Sequence, residues 1–305
     1  MERELFKRTL DELASNASYL TSLSSLLQTG PPRRLVLSEG GCVLYSESLN
    51  AKFYWDANDP RTAVSSLVAQ GVYEERETRI LTHIVEQSRT TLDIGANVGY
   101  YAVVLGLALG KKSSLVAIEP LERASDQLTA NLKLNHLEGK VTSIQVALSD
   151  SDGFAELHVP ERSGSSATSL RSLHPSESEL RVSVETRSLD SLVKEKAITN
   201  IDLIKIDVEG AEWLVLQGGW GVVTSYRPVI FAEMLRKWSA GFDYHPNIVL
   251  HALKDLGYSC FAVGDTLKPI SEIKNETVET NFLFLTSSDR HLLLIESLCK
   301  IMESP

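Results

Sequence analysis

The chain has 305 residues, a formal net charge of −10 and an apolar fraction of 43%, enough for one large globular domain or a domain with an appendage. The acidic balance argues against nucleic acid or an anionic membrane surface as partner. No apolar run approaches a membrane span, and the charged start MERELFKRTLDELASN lacks the apolar core of a secretory signal. The three cysteines, Cys42, Cys260 and Cys299, are odd in number and widely spaced, so neither a disulfide framework nor a zinc site is expected, and a cytoplasmic location follows.

Glu2 to Gln28 predicts a helix, with Phe6, Leu10, Leu13, Ala17, Leu20 and Leu27 along one stripe and Gly30-Pro31-Pro32 as its stop. The stripe is expected to pack on the main body, with a homodimer seam as the alternative. RLVLSEGGCVLYS, Arg34 to Ser46, predicts a small hairpin turning at Gly40-Gly41. Phe53-Tyr54-Trp55 then reads as core or the edge of a lid. Residues 1–70 therefore form an N-terminal helix and hairpin extension to a main domain of 71–305. A helix over YEERETRILTHIVEQS leads into that domain's first strand.

That strand, in TLDIGANVGYY, stops at a turn with two glycines and passes into the helix VGYYAVVLGLALG. Gly95 and Gly99 permit positive φ and close approach, and a helix N-terminus suits a phosphate or carboxylate. Asn97 stands where a dinucleotide fingerprint needs its middle glycine, which disfavours NAD. Asp93 ends the strand with a carboxylate that suits an ammonium group, so a ligand carrying amine and carboxylate on one carbon would satisfy both. S-adenosylmethionine is such a ligand. The next strand, SLVAIE, ends at Glu119 about 26 residues after Asp93, near the spacing at which nucleotide-binding α/β folds place an acid on the ribose hydroxyls. Pro120 ends it.

Strands and helices then alternate, the pattern of a doubly wound parallel sheet. A helix over Leu121 to Asn135 precedes a strand over Val141 to Ala147. Further strands are predicted at Ile201 to Asp207, Pro228 to Glu233, Ser259 to Val263 and Asn281 to Thr286, with helices from near Gly210 and over Asn247 to Leu256 and a short one at the end. The Ser-rich interval Ser163 to Leu180 breaks the alternation and reads as a loop, either a connector or a lid. Because ligands in open α/β sheets sit beyond the carboxyl ends of the strands, Asp93, Glu119, Asp150, Asp207 and Glu233 are expected on one rim.

DIGANVGYY, the Glu119-Pro120 pair, NLKLN at Asn131 to Asn135, VALSD, VETRSLDSL, IDLIKIDVEGAE and RPVIFAE together resemble the FkbM family of S-adenosylmethionine-dependent methyltransferases, from about Gly71 to about Thr286. The resemblance implies a Rossmann-like class I methyltransferase fold of seven strands, the last antiparallel. It also implies methylation of a hydroxyl on a sugar, glycolipid or secondary metabolite, with S-adenosylhomocysteine as product. GVYEERE looks like the family's opening motif and brings in Glu74. By position, Asp93 faces the amino-acid end of the cofactor. Gly95, Asn97 and Gly99 hold its carboxylate region, Glu119 and Pro120 its ribose, and Ala147 to Asp150 border adenine. Asp207 is a cofactor neighbour or the base that takes the hydroxyl proton. Glu209 and Glu233 are candidates to bind acceptor hydroxyls, and His245 is either a second candidate base or a residue of the following helix's start. His174 is a candidate to close over substrate. Glu212 suits the helix dipole. Two or three carboxylates could hold Mg²⁺, but no spacing demands a metal and none is expected. An N-methyltransferase, for which a neutral amine needs little base help, and a non-catalytic nucleotide-binding module remain as alternatives.

Overall fold

The structure, a computed structural model, describes residues 17–38, 41–59, 61–161, 165–174, 176 and 178–303. Fourteen strands are present among them: β1 (Arg33–Ser38), β2 (Gly41–Ser46), β3 (Ala51–Trp55), β4 (Thr90–Ile94), β5 (Ser114–Ile118), β6 (Val141–Ile144), β7 (Ala147–Ser149), β8 (Gly153–Pro160), β9 (Glu179–Ser188), β10 (Ile201–Ile206), β11 (Val229–Glu233), β12 (Tyr258–Val263), β13 (Leu267–Ile270) and β14 (Asn281–Thr286). The main sheet has eight strands in the order β13-β12-β14-β11-β10-β4-β5-β6. β6, β5, β4, β10 and β11 run parallel, while β14 is antiparallel to both its neighbours. The expected seven-strand arrangement with its last strand reversed is therefore present, extended at one edge by β13.

Helices cover both faces and give two apolar cores. One holds Ile80, Ile84, Val103, Leu128 and Leu203 together with Leu44, Phe53, Val64 and Leu67 from the segment before residue 71. The other holds Leu92, Ile118, Ile204, Ile206, Val215 and Leu253. The parallel strands are apolar on both faces, as sheet covering by helices requires.

The N-terminal segment forms a three-stranded antiparallel sheet, β1-β2-β3. Of the predicted N-terminal helix, Ala17–Leu27 is described; Phe6, Leu10 and Leu13 lie outside the described residues, as does Gly40 of the predicted turn. Leu23 packs against the first core. The β3 strand is held by the helix Glu122–Leu134 and its cap in an unusual way. Asn131 Oδ1 accepts from Tyr54 N at 2.7 Å while its amide donates to Val98 O at 2.8 Å. Asn135 Oδ1 accepts from Lys52 N at 2.9 Å and its amide donates to Lys52 O at 2.7 Å. Residues i and i+4 of a helix are separated by about 6 Å of rise and residues i and i+2 of a strand by about 6.6 Å, so two asparagines can satisfy two strand positions. The NLKLN block thus replaces a missing neighbour strand.

Three expectations are corrected. The strand predicted over Val141 to Ala147 is two strands in different sheets, β6 in the main sheet and β7 in a small sheet β7-β9-β8. The hairpin β8 and β9 was not anticipated, because its strands are half-exposed and their alternation is carried by few apolar residues, Leu157, Val159, Val182 and Val184. The described residues 165–174, 176 and 178 accordingly lie between those two strands, Glu179 and Leu180 open β9, and Ser169 pairs with His158 through backbone hydrogen bonds. The terminal helix, Asp289–Glu303, has 15 residues rather than being short. No helix among the described residues is long and apolar enough to cross a membrane.

Asn131→Ala is expected to leave the Tyr54 N–H and Val98 C=O without buried partners, each costing about 1–3 kcal/mol. Urea unfolding should show a lower midpoint with an unchanged slope.

Candidate active site

A cavity opens at the carboxyl ends of β4, β5, β10 and β11, where the sheet's connectivity reverses. Gly95 and Asn97 after β4, Glu119 and Pro120 after β5, Ala147 in β7, Asp207 and Glu209 after β10, and Glu233 ending β11 all line it. These predicted residues are brought together from five separate chain segments.

Backbone shape at the first turn is dictated by packing as much as by ligand access. Gly95 has φ 79°, and a Cβ there would lie 1.7 Å from the Asp207 carbonyl oxygen. The glycine therefore lets the β4 and β10 turns touch. Asn97 is left-handed at φ 48°, a conformation asparagine tolerates. Its N–H donates to Glu119 Oε2 at 2.9 Å, and its Oδ1 accepts from Val98 N at 2.7 Å. Glu119 Oε1 accepts from Leu121 N at 2.9 Å. Each carboxylate oxygen thus retains a lone pair. Burial raises the Glu119 carboxyl to about 7, against the two backbone hydrogen bonds that favour its charged form.

The acid-rich side is organised by a residue that the sequence reading missed. Lys205, 3% exposed, sits opposite Asp93 in the β10–β4 pairing. Its Nζ lies 3.4 Å from Asp93 Oδ1, 3.3 Å from Asp207 Oδ2 and 4.8 Å from the centre of the Tyr101 ring. Burial opposes the ammonium's charge, but Asp207, Asp93 and Glu74 outweigh it and hold the lysine in its charged form. A lysine inside the apolar run IDLIKID, on the same strand face as Asp207, was the available signal: a charge at a central strand position needs a partner on the neighbouring strand.

Glu209 follows with φ 50°, a strained backbone for a non-glycine residue. Burial first, then Asp207 and Glu212, raises its carboxyl. Glu233 is raised for the same leading reason, burial, and then by Asp207. Glu212 is fixed structurally: Oε1 accepts from Gly210 N at 2.9 Å and Oε2 from Tyr244 Oη at 3.0 Å. Tyr73, Tyr100 and Tyr101 complete the wall, and the Ser-rich segment contributes Ser165, Ser166, Thr168, Ser169 and Leu170.

Six predicted residues lie elsewhere. Asp93 is fully buried beneath the cavity, and apart from Lys205 its oxygens have no hydrogen-bond partner, so it holds the lysine rather than facing a ligand. Gly99 is the helix N-cap, packed on Leu128. Glu74 stands behind the tyrosines and accepts from Tyr101 Oη at 2.6 Å. Asp150 is exposed and accepts from the hydroxyls of Ser149 and Ser151, because β7 turns away into the small sheet. His245 is exposed, and its Nδ1 accepts from Asn247 N at 3.2 Å, which makes it a helix-start residue. His174 packs on Trp238 with ring centres 4.9 Å apart. Among the described residues no three His, Cys, Asp or Glu side chains are grouped to hold a metal ion.

The cavity fits S-adenosylmethionine by the chemistry of its donors. Glu119 presents free lone pairs beside an apolar slot of Ile118, Pro120, Val146 and Leu148, suited to a ribose next to a purine, while Gly95 to Asn97 line the cavity at the turn after β4.

The sequence profile of the Methyltransferase FkbM domain matches residues 93–260. The chain is 31% identical over 190 residues to the 2-O-methyltransferase NoeI of Sinorhizobium fredii, covering 58% of this chain and 74% of that protein. It is 28% identical over 184 residues to the methyltransferase sdnD of Sordaria araneosa, covering 51% and 71%. It is 27% identical over 157 residues to the hexuronic acid methyltransferase AglP of Haloferax volcanii, covering 52% and 61%.

A raised carboxyl binds its proton more tightly in the folded chain. Its stabilisation is therefore complete below the ordinary value of 4.5 and lost as pH rises through about 7. Glu119→Gln is expected to flatten the pH dependence of unfolding free energy between those limits by on the order of 3 kcal/mol, as read from urea titrations across the window. An unchanged slope would place the Glu119 carboxyl in its ordinary range.

Proposed function

Because this chain belongs to the FkbM methyltransferase family, we propose that it moves a methyl group from S-adenosylmethionine to a hydroxyl oxygen of a small polyhydroxylated acceptor, a sugar unit or a hydroxylated secondary metabolite. The observation that carries this reading is the Asp207, Glu209 and Glu233 cluster at the cavity's polar end, anchored by a buried lysine. NoeI and AglP, named for a 2-O-methyl transfer and for a hexuronic acid, support the hydroxyl and the sugar.

The bound cofactor supplies an electrophilic methyl on a sulfonium. The chain's own residues must then bring a hydroxyl in line and remove its proton. Asp207 is the group placed to do so: its side chain is 27% exposed toward the cavity while Lys205 fixes one oxygen. The lysine also prevents the base from swinging away, which preserves the alignment that supplies much of such a rate enhancement. Glu233 and Glu209 have carboxyls pushed toward the neutral form by burial and by Asp207, and a neutral carboxyl both donates and accepts. A vicinal pair of hydroxyls matches that capacity. Glu119 holds the ribose, the Gly95–Asn97 turn the cofactor's amino-acid end, and Ala147 the edge of the adenine. The tyrosine wall and the Ser-rich segment exclude water.

Asp207→Asn is expected to lower kcat on the order of 100-fold while leaving S-adenosylhomocysteine affinity within a few-fold. Glu233→Gln, which keeps a neutral donor and acceptor, should retain activity within about tenfold. Mass-spectrometric detection of methylated products from a panel of glycosides and matched amino sugars measures both. Activity of Asp207→Asn near that of the wild type, on amines rather than alcohols, would replace this reading with N-methylation.

A further inference from the structure

The segment before residue 71 contains a buried acid that the transfer chemistry leaves unused. Asp59 lies between β3 and the helix Ala63–Gln70, and its side chain is only 3% exposed. Its Oδ2 accepts from Ser165 Oγ at 2.6 Å, from Ser165 N at 3.2 Å and from Arg123 Nη2 at 2.9 Å. Its Oδ1 is buried with no hydrogen-bond partner. The Asp59 backbone is itself fixed, because its carbonyl accepts from Ser65 Oγ at 3.0 Å, and Ser65 Oγ in turn accepts from Trp55 Nε1 at 3.1 Å.

Ser165 belongs to the stretch that walls the cavity. Its hydroxyl lies 2.6 Å from Asp59 and 3.4 Å from Asn97 Oδ1. A hydroxyl has one hydrogen, and the carboxylate, the stronger and nearer acceptor, takes it. Without the carboxylate that hydrogen would turn to Asn97 Oδ1, drawing toward the serine the side chain that accepts from the Val98 N–H and shapes the turn. Beside this contact Ser166 Oγ donates to the Arg61 carbonyl at 3.1 Å. At its far end the same stretch is tied to the acidic turn, through Ser169 Oγ donating to the Glu209 carbonyl at 2.7 Å. The stretch therefore spans the cavity between two fixed points, one of them outside the main sheet.

We propose that Asp59 is a positioning residue for the cofactor: through Ser165 it holds the 165–169 stretch across the cavity and keeps the Asn97 turn in its binding shape. Asp59 thereby sets cofactor affinity from outside the cavity lining. This role rests on the S-adenosylmethionine reading of the cavity.

The test is a double-mutant cycle on the full chain, comparing the wild type, Asp59→Ala, Ser165→Ala and the double variant. S-adenosylhomocysteine affinity is measured by calorimetry, KM and kcat by steady-state assay, and folding by thermal melting. Each single variant is expected to weaken affinity about tenfold and raise KM for S-adenosylmethionine to match, with kcat within about threefold, and the double variant to be no weaker than the worse single. Arg123→Gln, which leaves the Ser165 contact in place, should bind as the wild type does. Should Asp59→Ala not fold, Asp59→Asn and Ser165→Ala carry the same comparison. Losses that add in the double variant, or a lowered melting temperature with unchanged affinity, would overturn the positioning role alone. A wild-type chain that binds no S-adenosylhomocysteine would overturn the cofactor reading and this role with it.

Discussion

A single ammonium group, that of Lys205, sets the geometry of the site. It is nearly inaccessible to water and sits between Asp93, which is wholly so, and Asp207 at the cavity wall. Neither Asp93 nor Lys205 could be buried charged alone, since desolvation costs several kcal/mol per ion and only a close partner offsets it. Their direct opposition in the β4–β10 pairing supplies that partner at a fixed register. Removing the lysine would strand Asp93 without a counterion, a loss of about 3–5 kcal/mol by the behaviour of other buried pairs. The pair is thus weak evidence for stability and strong evidence for placement, because it orients Asp207 and gathers acids around it.

The surrounding features follow from that constraint. β4 and β10 must approach closely enough for the ion pair, and Gly95 allows it by leaving room for the Asp207 carbonyl. The closeness brings the Asn97 turn beside the acidic turn, so that the residues proposed for cofactor and acceptor share one cavity. Excess acid then accumulates: Glu209 and Glu233 stand near Asp207 in a dry environment, and their carboxyls rise for that reason. Burial and proximity alone thus push the acids around Asp207 toward their neutral form. The N-terminal segment closes the arrangement, with β3 bound to Asn131 and Asn135 and Asp59 bound to the Ser-rich stretch.

Much of this was legible in the sequence wherever chemistry coincides with a strand end. The glycine turn, Glu119, Asp207 and Glu233 all close apolar runs, and the rule that ligands sit beyond the carboxyl ends of parallel strands is enough to converge them. Asp93 shows the limit of that rule, because strand-end position does not say whether a carboxylate faces the ligand or the layer beneath it. Lys205 was overlooked because its meaning lies in cross-strand pairing, which no local pattern states. Asp150 failed since the strand before it leaves the main sheet, and His245 since it stands exposed just ahead of a helix, where its ring accepts a backbone N–H. The contact of Asp59 with Ser165 joins residues more than a hundred positions apart through side chains alone, and nothing periodic marks it.

The cavity between the β4 and β10 turns, with Glu119 and the Lys205 cluster, is the proposed S-adenosylmethionine site. Parallel calorimetric titrations with S-adenosylhomocysteine and NADH, on the wild type and on Glu119→Ala, test it most directly. The expected result is binding of S-adenosylhomocysteine at about micromolar affinity, none of NADH, and a loss of at least about tenfold in the variant. Binding of NADH instead, or S-adenosylhomocysteine affinity indifferent to Glu119, would contradict it.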